Sequence, residues 1–244
     1  MSTDHTPRRD RLTVEFCGLP GAGKSRLVKC VVRALGGHGI LVRCGDRGVV
    51  AGVPILPRVS RKAALTAAEV LARPASSSRL VGRVMASGQP RMADAIALSA
   101  QWLVVQRLLT RNSDRQGITL LDEGVIQTLF SIGLRGQVEG LLAALRVRAR
   151  DWVRPALLVV VDVPVTVAVG RLRARASRHS RSQLLGIGEM ERELHRGRNL
   201  LAELVAWWAT LPGGGEILRV ETVDHEQAGE AGARVSERLE AMLA

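Results

Sequence analysis

The sequence predicts an α/β protein, with three α/β/α layers around a central parallel sheet, and three observations carry that expectation. Apolar, β-prone runs recur along the chain with stretches of helical periodicity between them, the order that builds parallel strands joined by crossover helices. One of those runs, Ala156–Asp162 (A-L-L-V-V-V-D), is continuously apolar and β-branched, as a strand covered on both faces must be. The third is Phe16–Ser25, F-C-G-L-P-G-A-G-K-S, in which Gly18, Gly23, Lys24 and Ser25 fit the phosphate-loop pattern G-x-x-x-x-G-K-[ST].

Leu12–Cys17 is an alternating β-prone run that ends at this loop. Gly18, Leu19, Pro20, Gly21, Ala22, Gly23, Lys24 and Ser25 form the loop itself. Its glycines let the backbone turn its N–H groups inward as a nest for an anion, and the next helix adds the positive end of its dipole. Lys24 would reach the β- and γ-phosphates, and the Ser25 hydroxyl would sit on Mg²⁺. Ser25–Leu35 places Leu27, Val28, Val31, Val32 and Leu35 on one helical face, with Gly36-Gly37 as the stop. The motif therefore has the strand–loop–helix context it needs.

Ile40–Cys44 reads as a second strand and leads into Gly45-Asp46-Arg47-Gly48, where Asp46 and Arg47 would stand near the loop. Pro54, Pro57, Pro74 and Pro90 divide the stretch from 50 to 117, with helices expected over Arg61–Ala72, after Ser76-Ser77-Ser78, and from Met92 to Arg111. On the last of these, Gln101, Trp102 and Arg107 are either pocket-lining or a core tryptophan with two surface polar groups.

Ile118-Thr119-Leu120-Leu121 ends in Asp122-Glu123, the way a buried strand delivers a carboxylate to a phosphate loop. Such a carboxylate binds Mg²⁺ or takes the acceptor hydroxyl's proton. Val125–Arg135 is expected to continue the site side of the sheet, with Gln127 in reach of a substrate, and Gln137–Arg150 is an amphipathic helix. After Asp162-Val163-Pro164, a helix from Val165 brings Arg171, Arg173, Arg175, Arg178 and Arg181 within eleven residues. Helical spacing groups Arg171, Arg175 and Arg178 on one face. Ser177–Gly188, rich in arginine, serine and glycine, would repel itself until anions arrive and then order as a lid. Glu189–Thr210 is a helix ending in Trp207-Trp208, a core or dimer surface, so a homodimer is left open. Glu216–Glu221 reads as the last strand and Glu226–Leu243 as the closing helix.

At 244 residues and 46% hydrophobic content the chain suits a single domain, 11–244, behind a disordered tail over 1–10. No apolar run reaches membrane-spanning length and the polar start is unlike a signal peptide, so a cytoplasmic protein without membrane contact is expected. Cys17, Cys30 and Cys44 lack metal or redox spacing and read as reduced, buried thiols. The net charge is +12, and residues 141–200 alone hold twelve arginines against five acids. An arginine-lined polyphosphate site explains that concentration better than nucleic acid, because only 2% of the residues are aromatic and no nucleic-acid motif is present.

On the phosphate loop, Asp122 and the run from Asp162 to Arg175, the chain resembles the P-loop nucleoside and nucleotide kinases, especially thymidylate kinase. The resemblance spans most of 12–243 and is thin between 50 and 117. It implies a P-loop NTPase fold of the nucleoside/nucleotide kinase type, ATP on the loop residues, and Mg²⁺ on Ser25 and Asp122. Arg171 would pack near adenine, and Arg175 or Arg178 would be the lid arginine that meets the transferring phosphoryl group. The expected catalytic set is Lys24, Asp122, Glu123, Arg175 and Arg178. Glu123 stands where thymidylate kinases carry an arginine, and the chain has no tyrosine and only two phenylalanines to offer an acceptor base. A small alcohol, sugar or natural product is therefore an alternative acceptor to a nucleoside monophosphate. The expected activity is Mg-ATP-dependent phosphotransfer to a small molecule. The alternative is a nucleotide-binding switch or ATPase that transfers nothing and acts through a protein partner.

Overall fold

A computed structural model describes residues 11–44, 55–112, 116–147, 154–175, 181–213 and 215–244. The tail over 1–10, the Asp46-Arg47 turn, Arg148–Arg150 and Arg178 lie outside the described residues. Five parallel strands form the sheet: β1 (Arg11–Gly18), β2 (Val42–Cys44), β3 (Gly117–Leu121), β4 (Leu157–Asp162) and β5 (Glu216–Glu221), in the order β2-β3-β1-β4-β5. Helices flank the sheet, so the fold is the three-layer α/β/α arrangement of P-loop NTPases.

Central position explains strand composition. β1 lies between β3 and β4, with Thr13 opposite Thr119 and Phe16 opposite Val159, and its residues after Arg11 are all buried. β5 is an edge, and its charged Glu216, Arg219 and Glu221 fit a strand paired on one side only. The chain leaves β1 for β2 and β3 on one side and then crosses to β4 and β5 on the other, so β1 is the switch point of the sheet. A crevice opens beyond the carboxyl ends of strands at such a point, and there the phosphate loop sits.

The helices are α1 (Lys24–Gly37), α2 (Ile55–Ala72), α3 (Pro74–Met85), α4 (Met92–Asn112), α5 (Val125–Gly133), α6 (Glu139–Val147), α7 (Val165–Ala174), α8 (Ile187–Ala209) and α9 (His225–Leu243). α1 packs on α9, α5 and α7 pack on α8, and α2 with α3 packs on α4. Two prolines expected to break this region sit inside helices. Pro57 lies in the first turn of α2 and Pro74 is the first residue of α3, positions whose N–H has no intrahelical acceptor. Val125–Gly133 is likewise a helix rather than an extension of the sheet. Asp224 caps α9, its Oδ1 accepting from Gln227 N at 2.8 Å.

The sheet and the inner helix faces share one core, in which Trp102 and Trp208 are fully buried. Trp207, partly buried, packs against that core. Cys17 is buried, Cys30 and Cys44 are half-buried, and all three are free thiols. No described helix is long and apolar enough to cross a membrane.

Candidate active site

The loop between β1 and α1 has the backbone a phosphate cradle requires. Gly21 and Gly23 hold φ at +85° and +96°, where a side chain would be strained. Ala22 N donates to Leu19 O at 3.0 Å and closes the turn, and α1 begins at Lys24. The Lys24 ammonium folds back over the loop, donating to Gly18 O at 2.8 Å and Leu19 O at 3.1 Å. Burial brings its pKa down to about 8, against the opposing pull of the Asp122 and Glu123 carboxylates. Its nitrogen thus sits at the mouth of the cradle, where phosphate oxygens would replace the two carbonyls.

Asp122 and Glu123 follow β3 directly and go to different partners. Ser25 Oγ donates to Asp122 Oδ2 at 2.9 Å. Glu123 Oε2 accepts from Gln101 Nε2 at 3.0 Å, and Gln101 Oε1 accepts from Lys62 Nζ at 3.0 Å. Burial raises the Glu123 pKa, while Lys62 and Lys24 pull it down and Asp122 adds to the rise. Lys62 on α2, Gln101 on α4 and Glu123 therefore form one polar chain beside the loop. Gln101 thus lies in the polar chain beside the loop, whereas its neighbour Trp102 belongs to the core.

Other expected residues take different parts. Gln127 faces the loop's floor instead of open space: its Oε1 accepts from Gly18 N at 3.1 Å, and it is buried. The correction follows from α5, whose first turn points Gln127 back under β1. Arg171 Nη1 donates to Gly21 O and Ala22 O at 3.3 and 3.1 Å, and its Nη2 donates to Thr222 O and, at 2.8 Å, to Val223 O. Partial burial lowers its pKa. Arg175 is the C-cap residue of α7, which ends at Ala174; its φ of −70° keeps it one helical turn from Arg171, and its ψ of 125° ends the helical spacing there. Its charge contributes to lowering the Lys24 pKa. The third member of the expected face, Arg178, and the first residues of the expected lid are outside the described residues, while Arg181–Leu184 form a short 3₁₀ turn.

Three contributors carry no motif. Glu15, Lys62 and Thr222 emerge only from the fold, Thr222 by donating its hydroxyl to Ala22 O at 2.7 Å. A signal existed for two of them. Glu15 is a lone carboxylate inside a strand buried on both faces, and Lys62 is one of only three lysines in the chain.

No protein-family model matches the chain, and no curated protein is similar to it in sequence. Among solved structures, two of deoxyadenosine kinase from M. mycoides share its fold, one with bound dATP and one with the products dCMP and a flexible dCDP. Each superposes with a TM-score of 0.54 at 11% sequence identity, over 94% of this chain and 100% of the other. The fold and the loop together define a P-loop protein of the α/β/α class. At that identity the likeness extends to architecture alone.

Proposed function

We propose that this chain is a Mg-ATP-dependent kinase that transfers a phosphoryl group to a hydroxyl of a small molecule. The observation that carries the reading is the convergence of Lys24, Ser25, Asp122 and Glu123 at the switch point of the sheet. Ser25 Oγ and the Asp122 carboxylate are hard oxygen ligands of the kind Mg²⁺ takes. Among the described residues no cluster of three or more His, Cys, Asp or Glu could hold a metal by itself, which suits an ion completed by phosphate oxygens and water. Bound there, Mg²⁺ would neutralise phosphate charge and orient the γ-phosphoryl group.

The chain's own residues do the remainder. The loop cradles the phosphates, Lys24 exchanges its two carbonyls for β- and γ-oxygens, and Arg175 and Arg178 are assigned to charge that develops on the transferring group. Arg171 braces the loop against the end of β5, beside the place an adenine would occupy. Glu123, held by Gln101, binds the acceptor by accepting a hydrogen bond from a hydroxyl or amine group other than the one that reacts. As the reacting hydroxyl's oxygen bonds to the γ-phosphorus and the bond from that phosphorus to the β–γ bridging oxygen breaks, the hydroxyl's proton passes to Asp122 and ADP leaves.

A carboxylate at Glu123 favours a neutral or cationic acceptor over a nucleoside monophosphate, so a thymidylate-type acceptor is the less suited one. The structural neighbour's complexes, with a deoxynucleotide and deoxynucleotide products, support a nucleoside as one member of the acceptor class. An ATP-consumption screen over nucleosides, their monophosphates, sugars and small alcohols tests the reading. Acceptor-dependent ADP formation that vanishes in Lys24→Ala supports it, and ADP formation indifferent to every acceptor overturns transfer in favour of a hydrolysing switch.

A further inference from the structure

A second cavity, of about 620 Å³, lies among α2, α3, α4 and α6 and shares no residue with the phosphate loop. Its volume falls within the roughly 300–1,000 Å³ usual for small-molecule sites. Two polar side chains line it although both are more than nine-tenths buried: Glu69 of α2, 3% exposed, and Gln106 of α4, 7% exposed. Neither is fully satisfied among the described residues. Glu69 Oε2 and Gln106 Nε2 have no hydrogen-bond partner there, and the cation paired with the carboxylate, Arg73, lies 3.8 Å from its other oxygen. A buried acceptor and a buried donor left open beside the same cavity are costly in a folded protein, and one bound group could answer both.

The rest of the lining specifies that group's surroundings. Leu103 and Leu145 give apolar walls. Arg73, Arg79 and Arg83 bring three guanidinium groups to the same space. Arg79 donates one nitrogen to Ala75 O and Arg83 one to Gly140 O, so most of the five N–H donors that each guanidinium carries are left for another partner.

We infer that this cavity is a ligand site for a small hydroxylated apolar anion. Its hydroxyl would donate to Glu69 and accept from Gln106, and its carboxylate or phosphate would meet the arginines. Hydroxyl chemistry fits because a single O–H is both donor and acceptor, which neither a bare anion nor a cation can be.

Calorimetric titration of the full chain with para-hydroxybenzoate and para-hydroxyphenylacetate tests the inference, with benzoate, phenylacetate and para-cresol as matched controls. At least one hydroxy acid should bind with a Kd below about 1 mM, and loss of either its hydroxyl or its acid group should weaken binding about 10-fold or more. Glu69→Ala should remove the preference for the hydroxyl. Arg79→Gln with Arg83→Gln, both on the exposed side and harmless to folding, should remove the preference for the acid. Saturating Mg-ATP and Lys24→Ala should leave the affinity unchanged, which separates this site from the phosphate loop whatever the fate of the kinase reading. Failure of both hydroxy acids to bind, equal binding of the hydroxyl-free controls, or displacement by Mg-ATP would each overturn it.

Discussion

Glu15 Oε2 accepts from Val125 N at 2.8 Å, joining the middle of β1 to the first turn of α5. Its other oxygen accepts from Gln127 N at 2.9 Å, and Gln127 in turn takes the N–H of Gly18. One buried carboxylate therefore supports the helix N-terminus and, through Gln127, the entrance to the phosphate loop. Gly124 permits it: a Cβ there would lie 2.3 Å from Glu15 Cδ.

Burial raises the Glu15 pKa to about 7, against the hydrogen bonds from Gln127, Val125 and Ile126 that lower it. A carboxyl group with a raised folded-state pKa binds more protons folded than unfolded. Its contribution to stability is complete below the ordinary glutamate value and is lost as pH rises through about 7. Glu15→Gln should flatten that part of the stability profile between pH 4.5 and about 7. It should also cost about 1–3 kcal/mol, because its amide NH₂ faces an N–H. Urea denaturation across pH measures both, and an unchanged profile would remove Glu15 from this role.

Lys24→Ala should abolish Mg-ATP binding while leaving the unfolding midpoint nearly unchanged, since the ammonium rests on loop carbonyls. In the parent, nucleotide affinity should decline above about pH 8, where the lysine loses its charge. Calorimetric titration reads both effects. Undiminished affinity in the variant would contradict the central assignment.

Asp122 and Glu123 should separate kinetically because their partners differ. Asp122→Asn is expected to lower kcat by roughly 100-fold, through the metal and the proton. Glu123→Gln is expected to act mainly on the acceptor's KM. Steady-state kinetics with the best acceptor from the screen decides, and the opposite pattern would exchange the two roles. Efficient phosphorylation of a nucleoside monophosphate would refute the preference for a neutral or cationic acceptor.

Arg171→Lys keeps the charge and loses the fork that reaches Gly21 and Ala22 on one side and Thr222 and Val223 on the other. ATP affinity should fall about 10-fold with little change in the acceptor's KM, as expected for a brace on the donor side. Equal affinity would show that Thr222 holds the loop without it.

Much of this protein is determined by the sequence alone. The loop from Gly18 to Ser25 depends on neighbours in the chain, and so do the apolar runs of β1, β3 and β4 and the periodicity of α1 and α8. Local spacing sets their conformation, so each is legible in the order of residues. Tertiary structure alone decides the strand order, which puts the loop at the switch point, and every contact that crosses between elements. Gln101 reaches Glu123 across 22 positions, Gln127 reaches Gly18 across 109, and Arg171 reaches Ala22 across 149. Hydrogen bonds of this kind have no periodic signature, because they depend on which side chains the packed helices bring within about 3 Å of one another. Helical spacing likewise presumes a continuous helix, and that of α7 stops at Arg175, where the chain turns extended one residue past Ala174.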